Sequence, residues 1–228
     1  MALRIRFTMP EKLYVKDPQS SSYGQKLLKH SIDLMDEIGF EAFTFRKLAE
    51  RMESSEVSVY RYFGNKHLLL IYINCWYWQW VGYLIDMRTL NVSDSLERLK
   101  RAIHCMIYAS REAELNDYIN EKVLRRIIVK EGIKTYHVAD VDEENKEGFF
   151  IPYKLLIEKV AAIVQDLDGS FAYPRSLCST IFEMINSQLY YMDHLPRLSD
   201  LSKDDALNKM EEMALHFTLG AVKYQGVK

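Results

Sequence analysis

The stretch "SSEVSVYRYFGNKHLLL", residues 54–70, holds a short helical piece, two tyrosines around an arginine, a Gly-Asn stop and a second apolar helix start. Val59 and Phe63 stand four apart, the spacing of one helix face. On a helix from Glu56 to Phe63 they turn inward. Tyr60, Arg61 and Tyr62 then lie off the core and offer two hydroxyls and a guanidinium to a polyanion. Ser55 caps the short helix, and Glu56 sits in its first turn, where the macrodipole favours a carboxylate. Gly64 ends the piece, and Asn65 caps a long helix running from Lys66 to about Met87.

Upstream, Leu27, Leu28, Ile32, Leu34, Met35 and Ile38 recur at helical spacing between Tyr23 and Ile38. Gly39 stops that helix, and Phe40 packs back. Thr44 caps a second helix, "FRKLAERM", with Phe45, Leu48 and Met52 inward and Arg46, Lys47, Glu50 and Arg51 outward. A break follows at Glu53–Ser54. Two short helices joined by a tight turn and braced by a longer one make a helix-turn-helix. Phe45, Leu48, Ala49, Val59 and Phe63 would lock the pair, and small Ala49 permits close approach. The second helix is short enough to enter a groove about 12 Å wide, with donors on its flanks for phosphates. Thr44 and Lys66 stand at helix N-termini, where side chain and orphan amides act together on a phosphate.

The rest of the chain is helical in pattern: about 94–112 with Ser93 as its cap, 115–130, 149–167, 174–194 and 203–223. The acidic "YHVADVDEENKEG", 136–148, reads as a loop. Residues 1–21 lack a clear period, end in the turn-rich "DPQSSS" and read as an N-terminal arm. With 9 Gly, 5 Pro and no convincing strand run, the economical fold is all-α, about nine helices. The expected organisation is an arm at 1–21, the three-helix head at 22–66, and a helical ligand-binding and dimerisation domain at 67–228.

Net charge is −2, so no global basic field advertises nucleic acid. Residues 1–70 nonetheless carry 11 Lys/Arg against 9 Asp/Glu, while residues 71–228 carry 19 against 23, which makes the head the better partner for a polyanion. The three cysteines are isolated, which fits a reducing, cytoplasmic setting, and the N-terminus lacks an apolar signal core. "LLLIYINCWYWQWVGYLI", 68–85, is uncharged for eighteen residues, but its tryptophans lie in the middle, as in a buried helix, and not at membrane interfaces. The six histidines are scattered and no nucleophile, P-loop or zinc-protease motif occurs, so no enzyme, cofactor or metal is expected.

"GQKLLKHSIDLMDEIGFEAFTFRKLAERMESSEVSVYRYFGNKHLLL", 24–70, resembles the DNA-binding region of the TetR family of transcriptional regulators. Gly39-Phe40, Thr44, Leu48-Ala49, "VYRYF" at 59–63 and Asn65-Lys66 occupy the family's places. The resemblance implies that Thr44, Tyr60, Tyr62 and Lys66 touch the DNA backbone. It implies that Arg46, Val57 and Ser58, with Glu56 or Tyr62, face bases; Arg61 is a DNA-binding candidate from its outward spacing alone. Glu53-Ser54-Ser55 stands where the family commonly has Gly-Val-Ser, a departure that strains the turn and removes a small core contact. Glu56 could accept from a cytosine amino group or weaken phosphate affinity.

The resemblance also implies a ligand pocket among the fourth helix and the helices at 94–112, 115–130 and 149–167. Trp80, Tyr83, His104, Tyr108 and Phe150 are candidates for its wall, suited to a small apolar or aromatic ligand. The C-terminal helices carry wide apolar stripes that can pack together and still meet a second copy. Ile181, Met184, Ile185, Gln188, Met192, Met210, Met213 and Phe217 are the candidates for that homodimer interface. A dimer sets two recognition helices about one DNA turn apart on a near-palindromic site. The expectation is a cytoplasmic, dimeric repressor whose ligand favours a conformation with the fourth helix swung off that spacing. The alternative is a helical ligand-binding or interaction module with a vestigial head.

Overall fold

The structure is a computed structural model that describes residues 5–111 and 117–222. The described residues contain ten α-helices and no strand. They are α1 Ser22–Ala42, α2 Phe45–Arg51, α3 Glu56–Tyr60, α4 Lys66–Thr89, α5 Ser95–Tyr108, α6 Glu121–Glu131, α7 Val141–Lys146, α8 Ile151–Leu167, α9 Pro174–His194 and α10 Ala206–Ala221. The chain divides into two compact units. The first comprises residues 1–78 and 110–152, the second 79–109 and 153–228, so the boundary falls inside α4.

In the first unit α1 packs against α2 and α6, and α2 against α3. Ser21 accepts the Gly24 amide to cap α1. At its far end Gly39 takes φ +75°, a conformation that interrupts the helix before Phe40 turns back into the core. Gly24 meets a different need: a Cβ there would lie 2.3 Å from the Pro18 carbonyl oxygen, so only glycine lets the N-terminal segment pass that close. Two carboxylates tie α6 and its following turn to α1. Arg126 grips Asp36 through two hydrogen bonds of 2.9 and 2.6 Å, and Glu131 accepts the Phe40 amide at 3.1 Å. The Arg126 guanidinium holds the Asp36 carboxyl below the ordinary aspartate range.

The segment expected as an arm is folded onto this unit. Residues 11–13 and 18–20 are 3₁₀ turns, and Met9, Leu13, Pro18 and Gln19 are buried. Gln19 pins the segment by exchanging two hydrogen bonds with the Phe7 backbone. Phe7 meets Trp76 edge-on and Tyr14 meets Tyr72 likewise.

The second unit contains the end of α4 with α5, α8, α9 and α10, and α10 packs on both α5 and α9. Trp80 donates its indole N–H to the Ala109 carbonyl at 3.0 Å, and Lys159 of α8 donates to the Gly82 carbonyl at 3.0 Å. Leu99, Ile103, Met106, Val164, Ile181, Phe182, Ile185 and Met210 form its core.

Three local expectations change. Asp94, not Ser93, caps α5, because its carboxylate accepts the Glu97 amide at 2.7 Å. The acidic stretch expected as a loop contains the short α7, whose Glu144 carboxylate lies 2.8 Å from the His67 ring of α4. Asn120 caps α6, so that helix begins at Glu121; the expected start at Leu115 lies outside the described residues, as does the expected end of the last helix at Lys223. Among the described residues no helix is long and apolar enough to cross a membrane.

Candidate nucleic-acid interface

The helix-turn-helix is built from caps inward. Thr44 accepts the Lys47 amide at 3.2 Å and opens α2. Ser55 accepts the Ser58 amide at 3.2 Å and opens α3. Phe45, Leu48, Ala49, Val59 and Phe63 are all buried, as their spacing requires. Glu53, in the turn, has φ +51°, the left-handed conformation that costs a residue with a Cβ. The strain expected from a missing glycine is therefore located at Glu53. Ser54 answers the other departure: its hydroxyl sits 3.0 Å from that of Tyr23, and its amide donates to the Ala49 carbonyl at 2.9 Å.

Beyond the turn, Glu56, Val57, Tyr60 and Arg61 are exposed, Val57 at 65% and Tyr60 at 49%. Tyr60 is held edge-on by Phe45, with ring centroids 5.0 Å apart, which orients its hydroxyl without burying it. Ser58 is half-buried and its hydroxyl lies 2.9 Å from that of Ser55. Thr44 and Arg46 are exposed, and Arg46 pairs with Glu50 one turn along α2 at 3.0 Å. An exposed helical pair of this kind is weak and can yield to a phosphate.

Two candidates are placed otherwise. Tyr62 is buried, stacked on Tyr23, with its hydroxyl 2.9 Å from that of Ser21. Because α3 closes at Tyr60, the next residues turn, and Tyr62 swings under the start of α1. Lys66 donates to the carbonyls of Phe40, Glu41 and Phe43 at 3.0, 3.1 and 3.2 Å. An ammonium has three N–H donors, so all of them are engaged in closing the end of α1. Arg51 is also bound, to Glu37 by two hydrogen bonds, and Lys47 to the Ala42 carbonyl.

The pocket candidates divide between the two units. In the second unit Trp80 is buried and stacked with Tyr83, while His104 stacks on Tyr108 and faces Glu211 at 3.2 Å. The Tyr108 hydroxyl donates to Asn208 of α10. Phe150 belongs to the first unit, buried edge-on to Tyr136. The second unit also contains a void of about 10 Å³ between Ile103, Met106, Val160, Cys178 and Thr218, the size of one water. Among the dimer candidates, Ile181, Ile185 and Met210 are buried within the subunit, where α10 packs on both α5 and α9. Met184, Gln188, Met192 and Met213 are partly exposed, and Phe217 is 50% exposed.

Known proteins share this fold. The family profile "Bacterial regulatory proteins, tetR family" matches residues 27–73, from α1 into α4. No curated protein sequence matches. The TetR-family regulator PfmR from Thermus thermophilus superposes with a TM-score of 0.57 at 18% identity, covering 89% of this chain and 95% of its own. The fatty acid degradation regulator FadR from Bacillus halodurans gives 0.60 at 14% identity, covering 88% and 96%. AibR, solved with isovaleryl coenzyme A and operator DNA, gives 0.52 at 15% identity, covering 82% and 95%. Residues 27–73 thus match the tetR family of bacterial regulatory proteins, in a chain with the fold of transcriptional regulators of that family.

Proposed function

We propose that the protein is a cytoplasmic, ligand-responsive repressor that binds a near-palindromic operator as a homodimer and acts by binding, not catalysis. The observation that carries the reading is the exposed row after the turn: Glu56, Val57, Tyr60 and Arg61 stand out from a head whose packing residues Phe45, Leu48, Ala49, Val59 and Phe63 are buried. A short helix of this build presents side chains to base edges in the major groove, while Thr44 and the Tyr60 hydroxyl reach the phosphates.

The dimer rests on α9 and α10. With Ile181, Ile185 and Met210 committed to the core, the surface left for a second copy is Met184, Gln188, Met192, Met213 and Phe217. An exposed phenylalanine beside methionines is the composition of an interface centre. Sedimentation should give twice the 26.8 kDa of the chain, and Phe217→Lys should give a folded monomer. A monomeric wild type contradicts the reading.

The effector is a small apolar or aromatic molecule taken up among Trp80, Tyr83, His104 and Tyr108 in the second unit. Helix α4 belongs to both units, so a ligand that prefers a shifted α4 would change the spacing of two recognition helices by population shift. Titrating salt against binding to duplex DNA tests the function directly. Several phosphate contacts give a steep negative slope of log affinity on log salt. A flat response favours a ligand-binding module with a vestigial head.

A further inference from the structure

Nothing in the sequence of the N-terminal segment marks it as part of a binding surface, yet it ends against the recognition element. The Val15 amide donates to the Tyr62 carbonyl at 2.9 Å, which fixes the segment beside the residue that follows Arg61. The next residue, Lys16, holds its ammonium 5.4 Å from the centroid of the Tyr62 ring. Lys16 is exposed and makes no ion pair among the described residues. Its placement is firm because both sides are anchored. Asp17 caps the following 3₁₀ turn through the Gln19 amide and pairs with Arg6, and Leu13 is fully buried.

The head's own cations make this position matter. Lys66 is bound to three carbonyls, Arg51 to Glu37, Lys47 to Ala42 and Arg46 to Glu50. Tyr62, whose hydroxyl was expected at a phosphate, is covered, with that hydroxyl held by Ser21. An unpaired ammonium stands over it instead. We propose that Lys16 is a phosphate-contacting residue of the DNA-binding surface, brought there by the N-terminal segment and taking the place of the covered Tyr62. The inference rests on the DNA-binding reading above and adds a residue outside the helix-turn-helix.

Fluorescence anisotropy with a labelled 30-base-pair duplex of mixed sequence tests it, comparing wild type, Lys16→Ala and Lys16→Arg across a salt series. Loss of one phosphate contact per subunit should make the slope of log affinity on log salt shallower by about 0.9 per contact. Affinity should fall several-fold at low salt, Lys16→Arg should restore both, and the melting temperature of Lys16→Ala should stay at the wild-type value. A wild-type slope that Lys16→Ala leaves unchanged overturns the assignment alone. A wild type with no salt-dependent binding overturns the DNA-binding reading and this assignment with it.

Discussion

The Lys66 ammonium lies 3.0 Å from the Phe40 carbonyl oxygen, and it sits 4.7 Å from the centroid of the Phe40 ring. Those contacts make Lys66 the closure of α1, joined to the head after Gly39 has broken the helix. Lys66→Ala should destabilise the protein by about 1–2 kcal/mol, since it leaves three carbonyls to find water or nothing. Urea unfolding measures this. A phosphate-binding role alone would leave stability unchanged and flatten the salt dependence of DNA binding.

Glu53 occupies the left-handed region at φ +51° in the turn between α2 and α3. Glu53→Gly should stabilise the protein by about 1 kcal/mol, because glycine meets no Cβ penalty there. Thermal unfolding should shift upward by about 2–4 °C for a chain of this size. Glu53→Ala should give no such gain, and if it matched glycine the turn would not be strained.

The pair of Asp36 and Arg126 predicts a pH dependence. Hydrogen bonding to Arg126 lowers the folded-state pKa of Asp36, so folding favours the ionised carboxylate. That contribution is complete above the unfolded value, about 4, and is lost as pH falls through the lower folded value. Arg126→Gln should cost about 0.5–1 kcal/mol at pH 7. The two proteins should converge in stability once the pH lies below the folded value. A difference that persists there would assign the loss to packing instead.

All three cysteines are buried, and burial pushes the Cys178 thiol up to about 12. A thiol reagent at pH 8 should label none of them in the native protein and all three in denaturant. Rapid native labelling of Cys75 or Cys105, which are fully buried in α4 and α5, would contradict the packing of those helices.

The head was legible because its signals are local. Capping by Thr44, Ser55 and Asn65, the helix stop at Gly39 and the i, i+4 pair of Val59 and Phe63 all come from neighbours within a turn or two. The same locality hid the rest. Outward spacing on a helix put Tyr62 at the surface, but α3 ends at Tyr60, and residues 15, 21 and 23 cover the turn beyond it. Lys66 has the residue type and position of an anion ligand, and only the return of the chain after Gly39 brings three carbonyls to it. The apolar stripe of α9 and α10 could not separate core from partner surface, because Ile185 and Met184 are adjacent in the sequence and differ only in what lies opposite. The N-terminal segment has no period, so nothing in it announced the buried Leu13 or the place of Lys16.

In the proposed dimer, two copies of the row Glu56, Val57, Tyr60 and Arg61 face successive major grooves. Repeated selection from a pool of random-sequence duplex DNA, with sequencing of the bound fraction, tests it most directly. Enrichment of an inverted repeat with half-sites about one helical turn apart is expected, and its loss in Arg61→Ala. A bound pool no different from the starting pool, or a single unrepeated motif that Arg61→Ala still selects, would contradict it.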